Sequence, residues 1–591
     1  MKYKTDNMNY MKINNCWSIL MVFFGLISIG CSDEYLNKEP LSDVTAENFF
    51  LKASDLELYT NGFYRMFPES SIYSGDAKAD NIITTTLSDE MRGTRLIPTT
   101  GGGWNWEYLR DINFFLENYQ KCDDENAKKH YGGIARFFRA YFYFDKIKRF
   151  GDVPWYDYTI DPSDVESLQK PRDNRQFVMD RILEDLDYAI ENLNEEVQAY
   201  RITKYSALAL KSRISLYEGT FEKYRGITGY EKYLQSCIDA SEELMNNAPY
   251  GVYTTGNHSS DYMNLFNSLE TETSEVILSR QFTQSLAIDH NVNYYTTTSS
   301  YGRPGMPKDM VNSYLMKDGS RFTDKANFNQ LSFIEEVSDR DPRLSQTIRT
   351  PGYRRKGESL NIAPNLGATM TGYQLTKFVT EPMYDTYDES VNDLPILRFG
   401  EVVLNFAEAK AELGTITQSD LDNSIQMLRN RVGMPPLILA EANSIPDPYL
   451  ENQYPNVNGT NKGLILEIRR ERRIELYMEN HRWDDIVRWK SGQTITQPLR
   501  GLYFPGTGSY DLDNDGQIDV VLYEGDTPGN QTAGIQYIKL GADIFLDENN
   551  LVDPQPDFNN RTFDENRDYL YPIPRVELQL NPSLTQNPGW E

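Results

Sequence analysis

Five side chains within one nine-residue run, Asp511, Asp513, Asp515, Gln517 and Asp519 of DLDNDGQID, have the spacing to surround a hard cation. Carboxylates at alternate positions of a turn converge on one point, Gly516 permits the sharp bend, and Gln517 offers a carbonyl oxygen. The run departs from the EF-hand loop at its twelfth position, Leu522, where a bidentate Glu belongs, although Glu524 and Asp526 follow closely. A structural calcium loop and a metal-free acidic turn both fit this spacing, and no other cofactor is indicated.

A second chemistry is carried by rings. Sugars present flat apolar C–H faces with hydroxyl rims, so a neutral-glycan site needs exposed aromatic planes beside hydrogen-bonding Asp, Asn, Arg or Gln. Trp104 and Trp106 follow the run Gly101–Gly103, which can lift rings to a surface, and the preceding loop supplies Asp76, Asp80, Asn81, Arg92 and Arg95. Trp104 also opens a helical stretch, where core packing on a neighbour is the competing reading. Exposed-ring candidates further along are Tyr294, Tyr295, Tyr301, Tyr353, Tyr373, Tyr384 and Tyr387.

A third cluster is ionic. In LILEIRRERRIELYMENHRWDDIVRWK, Leu464–Lys490, helical spacing places Ile465, Ile468, Arg472, Leu476, Glu479, Trp483 and Ile486 on one face of one helix. Arg472 and Arg482 stand three residues from Glu475 and Glu479, so the economical reading is a packed helix with a paired charge ladder, not a catalytic site.

Composition excludes some functions. Lys and Arg number 59 against 87 Asp and Glu, a net charge of -28, which lacks the basic stripe that nucleic-acid binding requires. The four histidines, His130, His258, His290 and His481, lack metal-ligand spacing. Of the four cysteines, Cys16 and Cys31 belong to the leader, and spacing leaves open whether Cys122 and Cys237 pair. The chain carries no H-E-x-x-H, G-x-S-x-G or G-x-x-x-x-G-K-[ST] motif, and paired carboxylates in so acidic a chain do not argue for a glycosidase.

The elements that must position these residues are mostly helical. Apolar residues recur every three or four positions in 127–150, where Phe137, Tyr141, Phe144 and Ile147 face a core and Gly151 stops the helix, and again in 175–193, 204–219, 230–247, 396–414 and 421–432. Their small-residue and aromatic alternation is that of divergent tetratricopeptide hairpins stacked in pairs. Residues 70–103 read as a long loop. Residues 251–394 read as a large irregular insertion with short strands, for instance at 275–282, and residues from Arg500 onward read as loop-rich closing structure.

At the N-terminus, Lys2, Lys4 and Lys12 precede an apolar run from Trp17 to Gly30, which suits a signal peptide and is short for a membrane span. The run ends Leu26-Ile27-Ser28-Ile29-Gly30-Cys31 and resembles a bacterial lipobox, with Ser28 where leucine is usual. That resemblance implies diacylation of Cys31 and removal of residues 1–30, and Ser32-Asp33-Glu34 resembles the surface-export signal of Bacteroidetes lipoproteins.

The order of several segments is specific in combination: RFFRAYFYFDKIKRFGDVPWYD, YRITKYSALALKSRISLYEG, PKDMVNSYLMKDG with RDPRLSQTI, LPILRFGEVVLNFAEAKAELG, ERRIELYMENHRWDDIVRW, and the ending YPIPRVELQLNP with QNPGW. With the leader, they resemble the SusD-like (RagB/SusD) family of outer-membrane nutrient-binding lipoproteins. The resemblance implies a mostly α-helical single body over 31–591, with an N-terminal helical part at 31–250, the insertion at 251–394 and C-terminal helices and closing loops at 395–591. It implies an oligosaccharide ligand held without cleavage, a TonB-dependent transporter of the SusC type as partner, and a lipid anchor facing the cell exterior. It also places the ligand site between the loop bearing Asp80, Asn81, Arg92, Arg95, Trp104 and Trp106 and a second wall of Tyr294, Tyr295, Tyr301 and Arg303. A peptide-capturing member of the same family and a surface glycoside hydrolase are the alternatives.

Overall fold

Three of the long helices begin where a side chain takes the place of the hydrogen-bond acceptors that a first turn lacks. Asp124 accepts from the amides of Asn126 and Ala127, Asn174 from that of Gln176, and Thr203 from that of Ser206. The computed structural model describes residues 49–591, so the leader, Cys31 and the first residues of the N-terminal helical part lie outside the described residues. In chain order the principal helices are α1 (Ala53–Asn61), α2 (Glu107–Asn118), α3 (Glu125–Phe150), α4 (Arg175–Asn192), α5 (Lys204–Lys223), α6 (Tyr230–Asn247), α7 (Phe399–Leu413), α8 (Ile425–Arg431), α9 (Lys462–Glu475) and α10 (Arg482–Arg488).

α1 and α2 pack on α3, and from there each helix lies on the next: α3 on α4, α4 on α5, α5 on α6. Across the insertion the stack resumes with α6 on α7 and α7 on α9. This is the pairwise-stacked helical body that the periodicity predicts. Phe137, Phe144 and Ile147 of α3 are fully buried, whereas Tyr141 is half-buried. α5 and α6 approach so closely that a Cβ at Gly219 would meet the Leu234 side chain at 2.7 Å. The main apolar cluster joins Phe115, Phe138, Ile182, Leu404 and Trp489; a second lies beneath the insertion around Tyr262, Phe266, Met310, Tyr314 and Leu502. Cys122 and Cys237 are both buried free thiols, which closes the question their spacing left open.

The insertion leaves and rejoins the body through one ribbon. β1 (Val276–Arg280) pairs antiparallel with β2 (Leu394–Arg398), Val276 opposite Arg398 and Arg280 opposite Leu394. A second sheet lies in the closing part, where only loops are predicted: β3 (Gly508–Tyr510), β4 (Val520–Tyr523) and β5 (Gln536–Lys539), with β4 central, antiparallel to β3 and parallel to β5. Strands of three or four residues are too short for alternation to register in the sequence.

The arginine- and glutamate-rich stretch departs from its prediction in two ways. It is two helices, α9 and α10, separated by a turn in which Met478 and Asn480 have φ of 63° and 62°. The Asp76 carboxylate shapes that turn by accepting from the amides of Met478 and Arg482 at 2.9 and 3.2 Å. The charge ladder is also absent: Arg472 bonds Asp485 at 2.9 Å, and Glu475 receives Arg398, Arg431 and Arg343 at 2.9, 2.5 and 3.3 Å. α9 is buried from Gly463 to Glu475, so its charges are met chiefly from neighbouring elements, with Arg470 to Glu467 at 3.4 Å an i,i+3 pair within the helix, and desolvated charges require such partners. Burial alone would raise the Glu475 carboxyl, but the arginines outweigh it and hold it well below the usual carboxylate range.

Candidate ligand-binding site

The tryptophans occupy the start of α2. Gly101, Gly102 and Gly103 all have positive φ, and α3 grips this turn: Arg149 donates to the Gly102 carbonyl and Lys146 to the Gly103 carbonyl, each at 2.6 Å. The glycines therefore dock the chain instead of lifting it. Trp104 is only 7% exposed, its ring 4.8 Å edge-on to Phe150 and 5.3 Å from Trp106. Trp104 thus packs against the main core. Trp106 is half-buried, and both rings line a mainly apolar cleft of about 710 Å³ closed by Tyr156, Tyr158, Leu580 and Leu584.

The polar residues of the preceding loop are also bound into the structure. Asp80 is buried and accepts two hydrogen bonds from Arg482, at 2.5 and 2.7 Å, with Arg473 3.4 Å away. Burial would raise its carboxyl, but Arg482 and Arg473 hold it well below its usual value. The Asn81 side-chain oxygen accepts from Arg473 at 2.8 Å and its carbonyl from the Tyr477 hydroxyl at 3.1 Å. Arg95 is buried, donates to the Asp568 carboxylate at 3.1 Å and lies over the Tyr571 ring at 4.6 Å. Arg92 bonds Asp89, three residues before it, at 2.5 Å. Asp80, Asn81 and Arg95, placed at a ligand by the sequence reading, are interior ties: Asp80 and Asn81 find buried partners in the arginines of α9 and α10, and Arg95 finds its own in Asp568 of the closing part.

Loop and insertion do meet, at a different place. Ile83 and Gly305 exchange two main-chain hydrogen bonds of 2.9 Å, and the Thr85 amide donates to the Gly302 carbonyl at 2.9 Å. This stitch aligns Thr84, Thr85 and Thr86 with the helical turn Val292–Thr297 and the segment after it. The cleft between them, about 330 Å³, is lined by Ser70, Ser74, Thr84–Thr86 and Tyr301, with Tyr73 and Tyr295 at its base. Tyr295 is buried and forms that base, not an exposed wall.

Two more rings gather beside Tyr301. Tyr294 stands 5.5 Å from both Tyr301 and Tyr387, and Tyr301 is 6.1 Å from Tyr387. Tyr301 and Tyr387 are 40% and 52% exposed. Arg303 holds the segment in place, with φ of 49° and a guanidinium donating to the carbonyls of Leu366 and Thr369 at 3.1 and 3.2 Å. Of the remaining ring candidates Tyr384 is half-buried, while Tyr353 and Tyr373 are buried. Among the described residues the tryptophan cleft and the tyrosine cleft share no lining side chain, so the two predicted walls belong to two different clefts. The hydroxyl rim was missed in sequence; its signal is the run Thr84-Thr85-Thr86, whose side chains are short donor-acceptors.

In the acidic loop, carboxylate oxygens of Asp511, Asp513 and Asp519 lie within 4.8 Å of one another. Main-chain amides hold them there: Asn514 and Gly516 donate to Asp511 at 2.6 and 2.8 Å, and Leu512 to Asp519 at 2.7 Å. Burial and the neighbouring Asp519, Asp515 and Asp511 raise the Asp513 carboxyl. Asp515 and Gln517 stand outside that group of three; the Asp515 carboxylate accepts from the backbone and side-chain amides of Gln517 at 2.7 and 3.0 Å.

A stacked-helix body on which a loop and an insertion meet to build a surface cleft is the architecture of this molecule. The chain belongs to the SusD family: residues 253–590, more than half of it, match that family's sequence model. Residues 34–216 match a second model described as starch-binding associating with outer membrane. The chain is 23% identical to SusD-like protein P2 of Formosa agariphila, with 97% of this chain and 99% of that one covered. It is 22% identical to a SusD-like protein of Bacteroides ovatus, with 95% and 96% covered. Among solved structures, a SusD-like carbohydrate-binding protein of Bacteroides fragilis superposes with a TM-score of 0.67 at 21% identity, covering 91% of this chain and all of the other. A laminarin-binding SusD-like protein superposes with a TM-score of 0.52 at 18% identity, over 91% of this chain and all of the other. These structural likenesses concern the fold.

Proposed function

We propose that this chain is a surface lipoprotein of the outer membrane, anchored through Cys31 and facing the cell exterior, that binds an oligosaccharide without cleaving it. The bound glycan passes to a TonB-dependent transporter of the SusC type. The observation that carries the reading is the contact cluster of Tyr294, Tyr301 and Tyr387, two of its rings exposed, beside a cleft rimmed by serine and threonine hydroxyls. Ring faces take the C–H face of a pyranose, and hydroxyls that both donate and accept suit the rim of a neutral sugar. The laminarin-binding and carbohydrate-binding descriptions of proteins with this fold support the same ligand class. For Asp511, Asp513 and Asp519 the proposal is a structural calcium ion, since three converging carboxylates gain most from a bound divalent cation.

The test is affinity electrophoresis of the full-length protein, in a sugar-free detergent, through gels containing single polysaccharides. Retardation by one glycan class, lost in the Tyr301→Ala, Tyr387→Ala double variant and without release of reducing ends, is the expected result. Retardation that survives this double variant would move the ligand away from the tyrosine cleft.

A further inference from the structure

Tyr387 belongs to the stretch 381–390, which lies along the helical turn Val292–Thr297 that carries Tyr294. Both ends of this stretch are tied to the interior. The Asp385 carboxylate accepts from Arg355 at 2.7 and 2.8 Å and from Asn293 at 3.1 Å. Asn293 is fully buried, donates also to the Glu381 carbonyl at 3.1 Å and accepts from the Thr380 amide at 3.0 Å. Ser390 exchanges main-chain hydrogen bonds of 2.9 and 3.0 Å with His290.

Residues 386–389, between these anchors, have few partners. Among the described residues their one main-chain hydrogen bond runs from the Asp388 amide to the Asn291 side-chain oxygen, at 2.6 Å. Asn291 returns a hydrogen bond from its NH₂ group to the Asp388 carboxylate, also at 2.6 Å. A main-chain N–H only donates and a carboxylate only accepts, so one orientation of the Asn291 amide serves both. The Glu389 side chain adds a contact of 3.2 Å with Gln284 at the surface. Asp388 has φ of 58°, in the left-handed region that Asp tolerates better than most residues. Asn291 thus grips the chain at its bend.

Tyr387 comes one residue before that bend. Its ring stands edge-on to Tyr294 and Tyr301, at 86° and 81°, and is 52% exposed. A half-exposed ring on a turn with one main-chain hydrogen bond has little packing to fix it, and segments of that kind open readily. Asn291 stands three residues before Tyr294, at the start of the same helical turn. One turn therefore supplies one ring of the cluster and the clamp that sets another. Asn291 itself does not line the cleft, so its effect on a sugar there runs through the ring it places.

We infer that, given a glycan at the tyrosine cleft as proposed, Asn291 is a positioning residue: its reciprocal hydrogen bonds with Asp388 hold the Tyr387 ring beside Tyr294 and Tyr301, where a sugar face meets it.

The experiment compares the full-length protein, in sugar-free detergent, with Asn291→Ala, Asn291→Asp, Tyr387→Ala, the Asn291→Ala, Tyr387→Ala double variant, and the swap Asn291→Asp, Asp388→Asn. Two readouts are taken: hydrogen exchange of the peptide spanning 386–389 without glycan, and affinity from gels holding graded amounts of laminarin, soluble starch, xylan or galactomannan. Exchange is expected to quicken about tenfold in Asn291→Ala. Affinity in Asn291→Ala and Asn291→Asp is expected to fall to that of Tyr387→Ala, roughly two- to tenfold, with no further loss in the Asn291→Ala, Tyr387→Ala form. Asn291→Asp sets two carboxylates face to face, and the swap, which restores one donor and one acceptor, is expected to recover both readouts. Unchanged exchange in Asn291→Ala would overturn the inference whether or not a glycan binds. So would affinity kept in Asn291→Ala but lost in Tyr387→Ala, or a further loss in their combination, which would put Asn291 on the sugar itself. Absence of retardation by all four polysaccharides, or retardation indifferent to Tyr387→Ala, would instead overturn the reading of the cleft, and the role of Asn291 with it.

Discussion

Arg482 lays its guanidinium along both carboxylate oxygens of Asp80, at 2.5 and 2.7 Å, although 402 residues separate them in the chain. Both side chains are nearly inaccessible, and Arg473 approaches the same carboxylate at 3.4 Å. Removing one partner of such a pair leaves the other charge buried and alone. Asp80→Asn is expected to lower unfolding free energy by about 3–5 kcal/mol in urea titrations at neutral pH, with glycan affinity of the folded fraction unchanged. The folded carboxyl is depressed, so this contribution is present above the unfolded value of about 3.9 and is lost as pH falls below it. A loss under about 1 kcal/mol, coupled to weakened glycan binding, would return Asp80 to the ligand site.

Tyr301 and Tyr387 are predicted to act through their exposed faces. Each ring-to-alanine change is expected to weaken oligosaccharide binding by roughly two- to tenfold, the worth of about 0.5–1.5 kcal/mol of ring contact, as read by calorimetry on the glycan that retards the protein. Melting temperature should stay within a degree or two, because neither ring is in the core.

Trp104 should behave in the opposite way. Trp104→Ala empties a site beside Phe150 in the main core and is expected to cost about 3–5 kcal/mol of stability. Oligosaccharide affinity of the folded protein should be unaffected, since this ring lines a different cleft. Loss of binding at unchanged melting temperature would instead assign the glycan to the tryptophan cleft.

Glu222, buried in α5, has no hydrogen-bond partner for either carboxylate oxygen. Burial, with Glu218 nearby, pushes its carboxyl up to about 7. A folded value above the unfolded one means that the neutral form stabilises at low pH, and that this contribution fades as pH rises through 7. Glu222→Gln is therefore expected to raise stability at pH 8 by about 2 kcal/mol and to change it little at pH 5, in paired melting curves. A gain of equal size at both pH values would show that charge is not its origin.

Chelation tests the acidic loop. EDTA is expected to lower the melting temperature by a few degrees and added calcium to restore it, with Asp513→Asn abolishing the response, because a bound ion stabilises by mass action. Melting curves identical with and without chelator would leave Asp511, Asp513 and Asp519 as a metal-free turn held by its own amides.

Helices whose signals are local were legible in the sequence. α3 carries its own period, its Asp124 cap and its Gly151 stop within one stretch. The break between α9 and α10 was not, because the group that shapes it, Asp76, reaches the Met478 amide from 402 residues away. Periodicity reported a charged face on 464–490 correctly but assigned its partners by sequence spacing. In a helix buried on all sides the arginines and glutamates instead reach Asp80, Asp485, Arg398 and Arg431 on other elements.

The site divided in the same way. Tyr294, Tyr301 and Tyr387 were recognisable as ring candidates because they fall in a loop-rich, helix-poor insertion where no helical period assigns a ring to a buried face. Tyr353 and Tyr373 looked identical in sequence and are buried, since exposure depends on which segments cover a ring. The hydroxyl rim came into view only through the stitch between Ile83 and Gly305, a backbone pairing that carries no side-chain signal.

The sequence by itself determined the stacked helical body, the family, and the kinds of side chain available for recognition. Those properties follow from local periodicity, composition and ordered motifs. The tertiary structure alone decided that Trp104, Asp80, Asn81 and Arg95 are interior and that Tyr294, Tyr301 and Tyr387 meet. The physical reason is that burial and pairing are set by segments hundreds of residues apart, which compete for the same polar groups only once the chain has closed on itself.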